Sequence, residues 1–380
     1  MEVYLDNSAT TKPYEKVADT MYEIMLSNYG NPSSLHLLGK KAEDCLNNSR
    51  KILAQSIGAD ENEFYFTSGG TESNNISIIG YSLANKRRGT RIITQLTEHA
   101  SVLAPFKYLE EQGFDVVYIG VDEFGFPCMD SLKKAIDDNT ILLSFMYVNN
   151  ETGAIFPIEE ISNLCYQKDC ALHIDAVQAY GKLPINVKKL RLDMLSISSH
   201  KIHGPNGIGG LYIKKGTRIN PIVFGGNQET GLRSGTENIA SVASFACACE
   251  IKSKNMHNDN LLMSDLKQTL KDGILSFIEN AVINSPENSV CSILNVSFPG
   301  VKSEVLMHVL ESKGIYVSTG SACNSRKKKY SYVLSEMGLK PDVIDSAIRF
   351  SFSAFNTIEE IDYVIDVLKK EVPILRKIMK

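Results

Sequence analysis

Lys201 stands between two runs of apolar residues of the kind that form buried strands, at positions 194–197 and 211–213. A lysine at the end of a buried strand must be neutralised, paired with an anion or used covalently, because burying an isolated charge is costly. The covalent use is a Schiff base with a carbonyl compound, which in enzymes is usually pyridoxal 5′-phosphate (PLP). The segment therefore predicts a PLP-binding lysine.

Two other interpretations of this segment are weaker. The glycine-rich stretch 204–210 is typical of nucleotide-binding loops, but no Gly-Lys-Ser or Gly-Lys-Thr ends it. His200 and His203 could form a zinc pair, but the sequence offers no third ligand nearby. Ser198 and His200, which lie beside the lysine, are candidates for contacting a phosphate group.

Asp175 follows another predicted buried strand, at residues 171–174. PLP chemistry needs a carboxylate on the ring nitrogen, so that the ring stays protonated and withdraws electrons. Gln178 comes three residues later and could reach the ring hydroxyl from the same helical face. The alternative is that Asp175 only caps a helix.

Two weaker signals also follow predicted strands. Gly70 and Thr71 belong to a glycine-containing turn that opens a helix, where backbone N–H groups and a hydroxyl can bind an anion. Plain helix capping is the alternative there. His99 follows the strand at 91–94 and could stack on a pyridine ring and transfer protons, although a lone histidine is more often a polar loop residue.

Cys323 and Arg349 are the candidates in the last quarter of the chain. Cys323 lies in a small, polar stretch, 318–330, which predicts an exposed, mobile loop. The cations at 326–329 favour its thiolate, although a solvated charged loop would explain those cations equally well. Arg349 is a charge inside the apolar strand 347–351, so we expect it to pair with a carboxylate, either structural or from the substrate.

The elements that must position these residues alternate between strand and helix from about residue 60 to residue 213. Strands that are apolar throughout and alternate with helices predict a mostly parallel sheet covered on both faces. Functional groups gather at the carboxyl ends of such strands. Near residue 255 the pattern changes: a charged helix at 258–279 and further strands and helices, including a closing helix from Ile358, predict a smaller α+β domain.

Composition narrows the class of protein. The formal net charge of −4 argues against broad nucleic-acid binding. The first residues form no signal peptide, and the longest apolar stretch, 141–148, is too short to cross a bilayer. The eight cysteines include no C-x-x-C pair and read as reduced thiols, so we expect a cytoplasmic protein without a metal site.

Taken together, these segments resemble the cysteine desulfurases of the NifS/IscS branch, which belong to the class V aminotransferases among fold-type I PLP enzymes. The likeness runs nearly from end to end. Besides the segments around Lys201 and Cys323, which stand in the family's order, it includes Val-Asn-Asn-Glu-Thr-Gly at 148–153 and Arg-Ser-Gly-Thr-Glu-Asn at 233–238.

The resemblance implies an α/β fold: a large domain, 13–256, with a mostly parallel seven-stranded sheet, and a small domain, 1–12 and 257–380, that carries the catalytic cysteine. It assigns catalysis to Lys201, His99 and Cys323, and substrate binding to Asn150 and Arg349. It assigns cofactor binding to Gly70, Thr71, His99, Asn150, Asp175, Gln178, Ser198, His200, Lys201 and, from the other subunit of a homodimer, Thr236.

The resemblance also implies the reaction. L-cysteine becomes L-alanine, and its sulfur forms a persulfide on Cys323 that an iron–sulfur scaffold or a tRNA-thiolation enzyme accepts. Cys323 could then contact a nascent iron–sulfur cluster on the partner. A selenocysteine lyase or other PLP β-lyase is the alternative, but it would not need a loop cysteine. A non-catalytic sulfur-transfer partner would have lost Lys201, Asp175 or Cys323, and all three are present.

Overall fold

The computed structural model describes residues 1–319 and 331–379, so Cys323 lies outside the described residues. The strands in these two ranges are β1 (Val3–Tyr4), β2 (Phe64–Thr67), β3 (Arg91–Gln95), β4 (Asp115–Ile119), β5 (Thr140–Met146), β6 (Ala171–Asp175), β7 (Met194–Ser198), β8 (Gly209–Ile213), β9 (Val282–Ile283), β10 (Ile293–Ser297), β11 (Ile315–Tyr316) and β12 (Ala347–Ser351). The α-helices are α1 (Glu15–Ser27), α2 (Leu37–Ser56), α3 (Gly70–Asn75), α4 (Tyr81–Asn85), α5 (Ala100–Glu111), α6 (Met129–Ala135), α7 (Ile158–Lys168), α8 (Ile239–Phe277), α9 (Ser303–Ser312), α10 (Tyr332–Glu336), α11 (Pro341–Asp345) and α12 (Ile358–Ile378).

Seven strands form the large sheet, in the order β2-β8-β7-β6-β5-β3-β4. The five neighbours from β7 to β4 are parallel, and β8 runs antiparallel to both β7 and β2. The predicted mostly parallel seven-stranded sheet is therefore confirmed. Since β3, β5, β6 and β7 run in one direction, their carboxyl ends lie at one edge.

Burial on both faces explains why the central strands are apolar throughout. Every residue of β5 is buried. Within β5, the consecutive residues Leu142 and Leu143 point to opposite faces of the sheet and belong to two different hydrophobic clusters. A parallel sheet of this kind needs helices on each side, which the alternating strand and helix pattern supplies.

A second core forms around two smaller sheets. Strands β12, β10 and β9 are antiparallel, and β1 pairs in parallel with β11, so that Val3 lies opposite Ile315. Val3 and Leu5 are fully buried in the same cluster as Phe350 and Leu368. The first residues of the chain thus pack with its last quarter. The division into two domains stays a prediction.

The predicted helix at 258–279 is wrong in its start, because α8 begins at Ile239 and runs to Phe277. Asn238 caps this helix, its side chain accepting a hydrogen bond from the Ser241 N–H at 3.1 Å. No proline and no glycine interrupts the chain between residues 239 and 272, so nothing ends the helix where its surface changes from apolar to charged. The predicted domain boundary at 256/257 therefore falls inside α8.

The sequence analysis missed α1 and α2. Several apolar side chains in and between these helices are exposed, among them Tyr22, Met25 and Leu37, so the periodic pattern that marks a core-facing helix is blurred. Within residues 1–319 and 331–379, no helix has both the length and the apolar character that a membrane span requires.

Candidate active site

A cavity of about 270 Å³ lies at the carboxyl ends of β3, β5, β6 and β7. Ten residues predicted from the sequence line it: Gly70, Thr71, His99, Asn150, Asp175, Gln178, Ser198, His200, Lys201 and Arg349. Thr236 is exposed and does not line the cavity within this chain. The edge of a parallel sheet thus brings together residues that are up to about 280 positions apart in the sequence.

Lys201 ends a short 3₁₀ turn, Ser199–Lys201, that directly follows β7. Its Nζ donates hydrogen bonds to the backbone oxygens of Ser8, at 2.5 Å, and Ala9, at 2.8 Å. The Thr11 hydroxyl donates to the backbone oxygen of His200 at 2.9 Å. The N-terminal segment therefore holds the lysine turn, a contact that sequence reasoning missed because it is made by backbone atoms.

A chain of hydrogen bonds links Asp175 to His99 across the cavity floor. Asn74 Nδ2 donates to Asp175 Oδ2 at 2.7 Å and to Ser101 Oγ at 2.9 Å. Ser101 Oγ in turn lies 2.8 Å from His99 Nδ1. Asn74 and Ser101 were not predicted, and the only signal for them is their place near the starts of α3 and α5.

His99 is held as a neutral imidazole. It caps α5, and its Nδ1 accepts a hydrogen bond from the Ser101 backbone N–H at 3.1 Å. Burial lowers the pKa of His99, and Lys201 lowers it further, against an opposing influence of Asp175. With Nδ1 as acceptor, the ring hydrogen sits on Nε2.

Gly70, Ser198 and His200 form the end of the cavity suited to an anion. Gly70 opens α3, and a Cβ there would lie 2.5 Å from Cγ2 of Val177, so a larger residue would require the Val177 side chain to shift. Burial, followed by the charges of Lys201 and Lys182, lowers the pKa of His200 to about 4, so this imidazole is neutral at pH 7. A phosphate group would meet helix N–H groups and neutral donors here.

Arg349 is buried and has the carboxylate partner that its position in β12 predicts. The partner is Asp6, whose Oδ1 accepts from Arg349 Nη2 at 2.8 Å. Nη1 donates to the backbone oxygen of Asn150 at 2.9 Å. Arg349 Nε and Asn150 Oδ1 are buried and have no hydrogen-bond partner among the described residues. Nothing in the sequence indicates that this carboxylate is Asp6.

Glu151 is a buried carboxyl group that sequence reasoning also missed. It lines the cavity, and its Oε2 accepts a hydrogen bond from Ser331 Oγ at 2.5 Å. Burial raises the pKa of Glu151 to about 7, although the hydrogen bond from Ser331 and the charge of Arg349 both favour its ionised form. Its only sequence signal was its place in the Val-Asn-Asn-Glu-Thr-Gly segment.

His203 belongs to the packing rather than to a zinc pair with His200. Its Nδ1 lies 2.8 Å from the backbone oxygen of Lys12, and its ring lies 4.7 Å from that of Tyr14 and 5.0 Å from that of Phe355. In the part of the chain that the structure describes, no cluster of three histidine, cysteine or acidic side chains could hold a metal ion.

Comparison with known proteins assigns the family. The class-V aminotransferase family matches residues 3–364. The cysteine desulfurase IscS of Methanosarcina thermophila is 42% identical over 374 residues, which cover 98% of this chain and 93% of that protein. This chain belongs to the cysteine desulfurase family. A probable mitochondrial cysteine desulfurase from Dictyostelium discoideum is 41% identical over 98% of this chain and 84% of its own.

Solved structures agree with this assignment to the desulfurases. A NifS-like protein superimposes with a TM-score of 0.93 at 37% identity, over 98% of this chain and all of that one. SspA in complex with cysteine gives a TM-score of 0.82 at 32% identity, over 93% of this chain and all of that one. The family, the fold and the desulfurase activity predicted from the sequence are thereby confirmed.

Proposed function

We propose that the cavity binds PLP and L-cysteine together, and that cysteine leaves as alanine while its sulfur forms a persulfide on Cys323. One observation carries this proposal: Lys201, Asp175 and His99 reach the same cavity from the carboxyl ends of three parallel strands of the large sheet, β7, β6 and β3. A nucleophilic amine, a carboxylate and a flat neutral ring are the groups that a pyridine aldehyde requires.

The residues present fit PLP. Gly70 lines the cavity at the start of α3 and has no side chain, which leaves its backbone open to a phosphate group. Bound there, PLP would supply an electron-withdrawing ring that weakens the Cα–H and Cβ–S bonds of cysteine. Thr71, Ser198 and His200 would hold its phosphate group, Asp175 its ring nitrogen and Gln178 its ring oxygen.

The chain's own residues supply the remaining steps. Lys201 Nζ would bond covalently to the cofactor and then carry a proton to and from the substrate carbon. His99 would stack on the ring and donate from Nε2, the nitrogen that bears its hydrogen. The partnerless Nε of Arg349 and the amide of Asn150 are free to bind the substrate carboxylate.

Described residues on both sides of the Cys323 segment support a role for that cysteine. Ser318 forms two backbone hydrogen bonds with Arg349, at 2.7 and 3.2 Å, and Ser331 and Tyr332 line the cavity. The segment 320–330 thus leaves and rejoins the described chain beside the substrate site. From Cys323, sulfur would pass to an acceptor protein such as an iron–sulfur scaffold or a tRNA-thiolation enzyme.

We further propose that the enzyme works as a homodimer in the cytoplasm. Exposed apolar side chains gather in α1 and the residues after it: Tyr22, Met25, Leu26, Tyr29, Leu35 and Leu37. Such a surface is typical of an interface. Thr236, absent from the cavity of its own chain, would then reach the phosphate of the other subunit.

Mixing Lys201→Ala chains with Thr236→Ala chains should restore one intact site per mixed dimer; no recovery of PLP affinity would contradict this arrangement.

The proposed chemistry is tested by recording the absorption spectrum of the protein with PLP, before and after L-cysteine, with alanine and sulfide assayed in the same tube. A visible band that shifts with cysteine, together with alanine, is expected. The variant Cys323→Ala should keep the spectral response to cysteine and release no sulfide. Wild-type sulfide release from that variant would favour a β-lyase instead, and absence of any band would overturn the cofactor assignment.

A further inference from the structure

Lys182 is a buried lysine next to the proposed cofactor site that the proposed mechanism does not use. It is 6% exposed and follows Gln178 by four residues in the turn after β6. Its Nζ donates to Gln178 Oε1 at 3.1 Å, and no described carboxylate lies within ion-pair distance of it. Burying an ammonium group without a counter-ion is costly, and methionine would fill a similar volume at no such cost.

The hydrogen bonds of Gln178 define which way its amide points. Lysine Nζ is a donor, so the amide oxygen must face it and the amide nitrogen must face the other way. That nitrogen donates to the backbone oxygen of Ser8 at 2.9 Å, the same oxygen that accepts from Lys201 Nζ. The donor end of Gln178 is therefore turned toward the lysine that would hold the cofactor.

The backbone around Lys182 holds it in place. Asn260 Nδ2, from α8, donates to the Lys182 backbone oxygen at 2.7 Å. The charged and titratable groups that act on its ammonium are Lys201, Lys252, Cys291 and Arg349. Lys252 and Arg349 are paired with Asp259 and Asp6 respectively, so their charges are largely compensated. Burial, followed by the charges of Lys201 and Lys252, lowers the pKa of Lys182 to about 7.

We propose that Lys182 is a positioning residue that keeps the N–H end of the Gln178 amide directed at the ring oxygen of bound PLP. Without Lys182 the amide loses the donor that fixes its orientation, and its oxygen can turn toward an oxygen that carries negative charge. This inference rests on the proposed function, because it assumes that PLP occupies the cavity.

The test is a pH titration of the visible PLP band in the full-length, PLP-loaded protein without substrate. A donor to the ring oxygen and a nearby cation both favour the form of the chromophore that carries less positive charge. Lys182→Met should therefore raise the titration midpoint by about one pH unit. Lys182→Gln keeps a donor to Gln178 Oε1 without the charge, so it should move the midpoint by less than half as much.

A second pair of variants separates orientation from charge. If Lys182 acts through Gln178, adding Lys182→Met to Gln178→Ala should shift the midpoint little further. If Lys182→Met shifts the midpoint as much in Gln178→Ala as in the wild type, or if neither Lys182 variant shifts it, the role of Lys182 is overturned and the proposed function stands. A wild-type protein that takes up no PLP overturns the proposed function as well. A loss of packing would release the cofactor without moving the midpoint of the fraction that stays bound.

Discussion

The wall of the cavity that the large sheet forms differs from the rest in how its residues are brought together. The sheet wall consists of His99, Asp175, Ser198 and Lys201, which lie at the end of a strand or within four residues after it. The composite wall consists of Asn150, Glu151, Ser331 and Arg349. Arg349 bonds to Asp6, 343 residues away, and Ser331 to Glu151, 180 residues away.

The two walls also differ in their charges. In the sheet wall, Asp175 is satisfied by hydrogen bonds from Asn74 and from the Val177 backbone N–H, and His99 is neutral. The composite wall buries the guanidinium of Arg349, which is paired with the half-buried Asp6, and the carboxyl group of Glu151. We infer that changes in the sheet wall mainly affect chemistry, whereas changes in the composite wall mainly affect stability.

The largest effect on chemistry is expected from Lys201→Ala. It removes both the covalent attachment and the proton carrier, so alanine formation should fall by about 10³-fold or more. The unfolding midpoint should change little, because the lost hydrogen bonds go to two backbone oxygens. Lys214→Ala, which alters an exposed lysine at the opposite end of β8, is the control. A strongly lowered unfolding midpoint of Lys201→Ala would contradict the inference that changes in the sheet wall mainly affect chemistry.

Asp6→Asn should give the largest loss of stability. It leaves the buried guanidinium of Arg349 without the carboxylate that pairs with it. Removing one partner of a fully buried pair typically costs about 3 to 5 kcal/mol, and because Asp6 is 22% exposed the cost here should lie below that range. The matched control is Asp60→Asn, which breaks the exposed ion pair with Lys188 and should cost less than about 1 kcal/mol. Urea unfolding of both variants measures the difference. Equal urea-unfolding midpoints for Asp6→Asn and Asp60→Asn would mean that the stability of the composite wall does not depend on the Arg349–Asp6 pair.

The sequence predicts the sheet wall because a polar residue that closely follows a buried parallel strand lies at the carboxyl-end edge of the sheet. Asp175, His99 and Lys201 each follow such a strand, and parallel strands bring their ends to one edge. The composite wall follows no local rule. Nothing near Asp6 indicates that it forms a bridge with Ser351 of β12, which brings it beside Arg349.

The sequence pattern also did not predict the backbone contacts to Lys201 or the full length of helix α8. The oxygens of Ser8 and Ala9 that hold Lys201 belong to the peptide backbone, so no side-chain pattern marks them. Helix α8 continues past the point where its composition changes, because a helix ends at breaking residues and caps rather than at a change of surface.

Glu151→Gln tests the buried carboxyl group of the composite wall through pH. In the folded protein burial raises the pKa of Glu151 from 4.5 to about 7. Between these values the folded state binds more protons than the unfolded state, so this group lowers stability as pH rises from 4.5 to 7, by about 2 to 3 kcal/mol. Glutamine cannot ionise. Unfolding at pH 5 and pH 8 should therefore show a smaller pH dependence in Glu151→Gln than in the wild type or in the exposed control Glu111→Gln; identical slopes would contradict the assignment.

The smallest effect is expected from Ser101→Ala in the sheet wall. The hydroxyl joins Asn74 to His99, but the Ser101 backbone N–H still donates to His99 Nδ1, so the ring keeps its orientation and its hydrogen on Nε2. Losing one neutral hydrogen bond is worth about 1 kcal/mol, which corresponds to a roughly fivefold lower kcat. Ser82→Ala is the control, because its hydroxyl is buried without a partner among the described residues. A loss as large as that of Lys201→Ala would mean that the hydroxyl itself carries the proton, and the sheet wall would then depend on a relay rather than on a fixed imidazole.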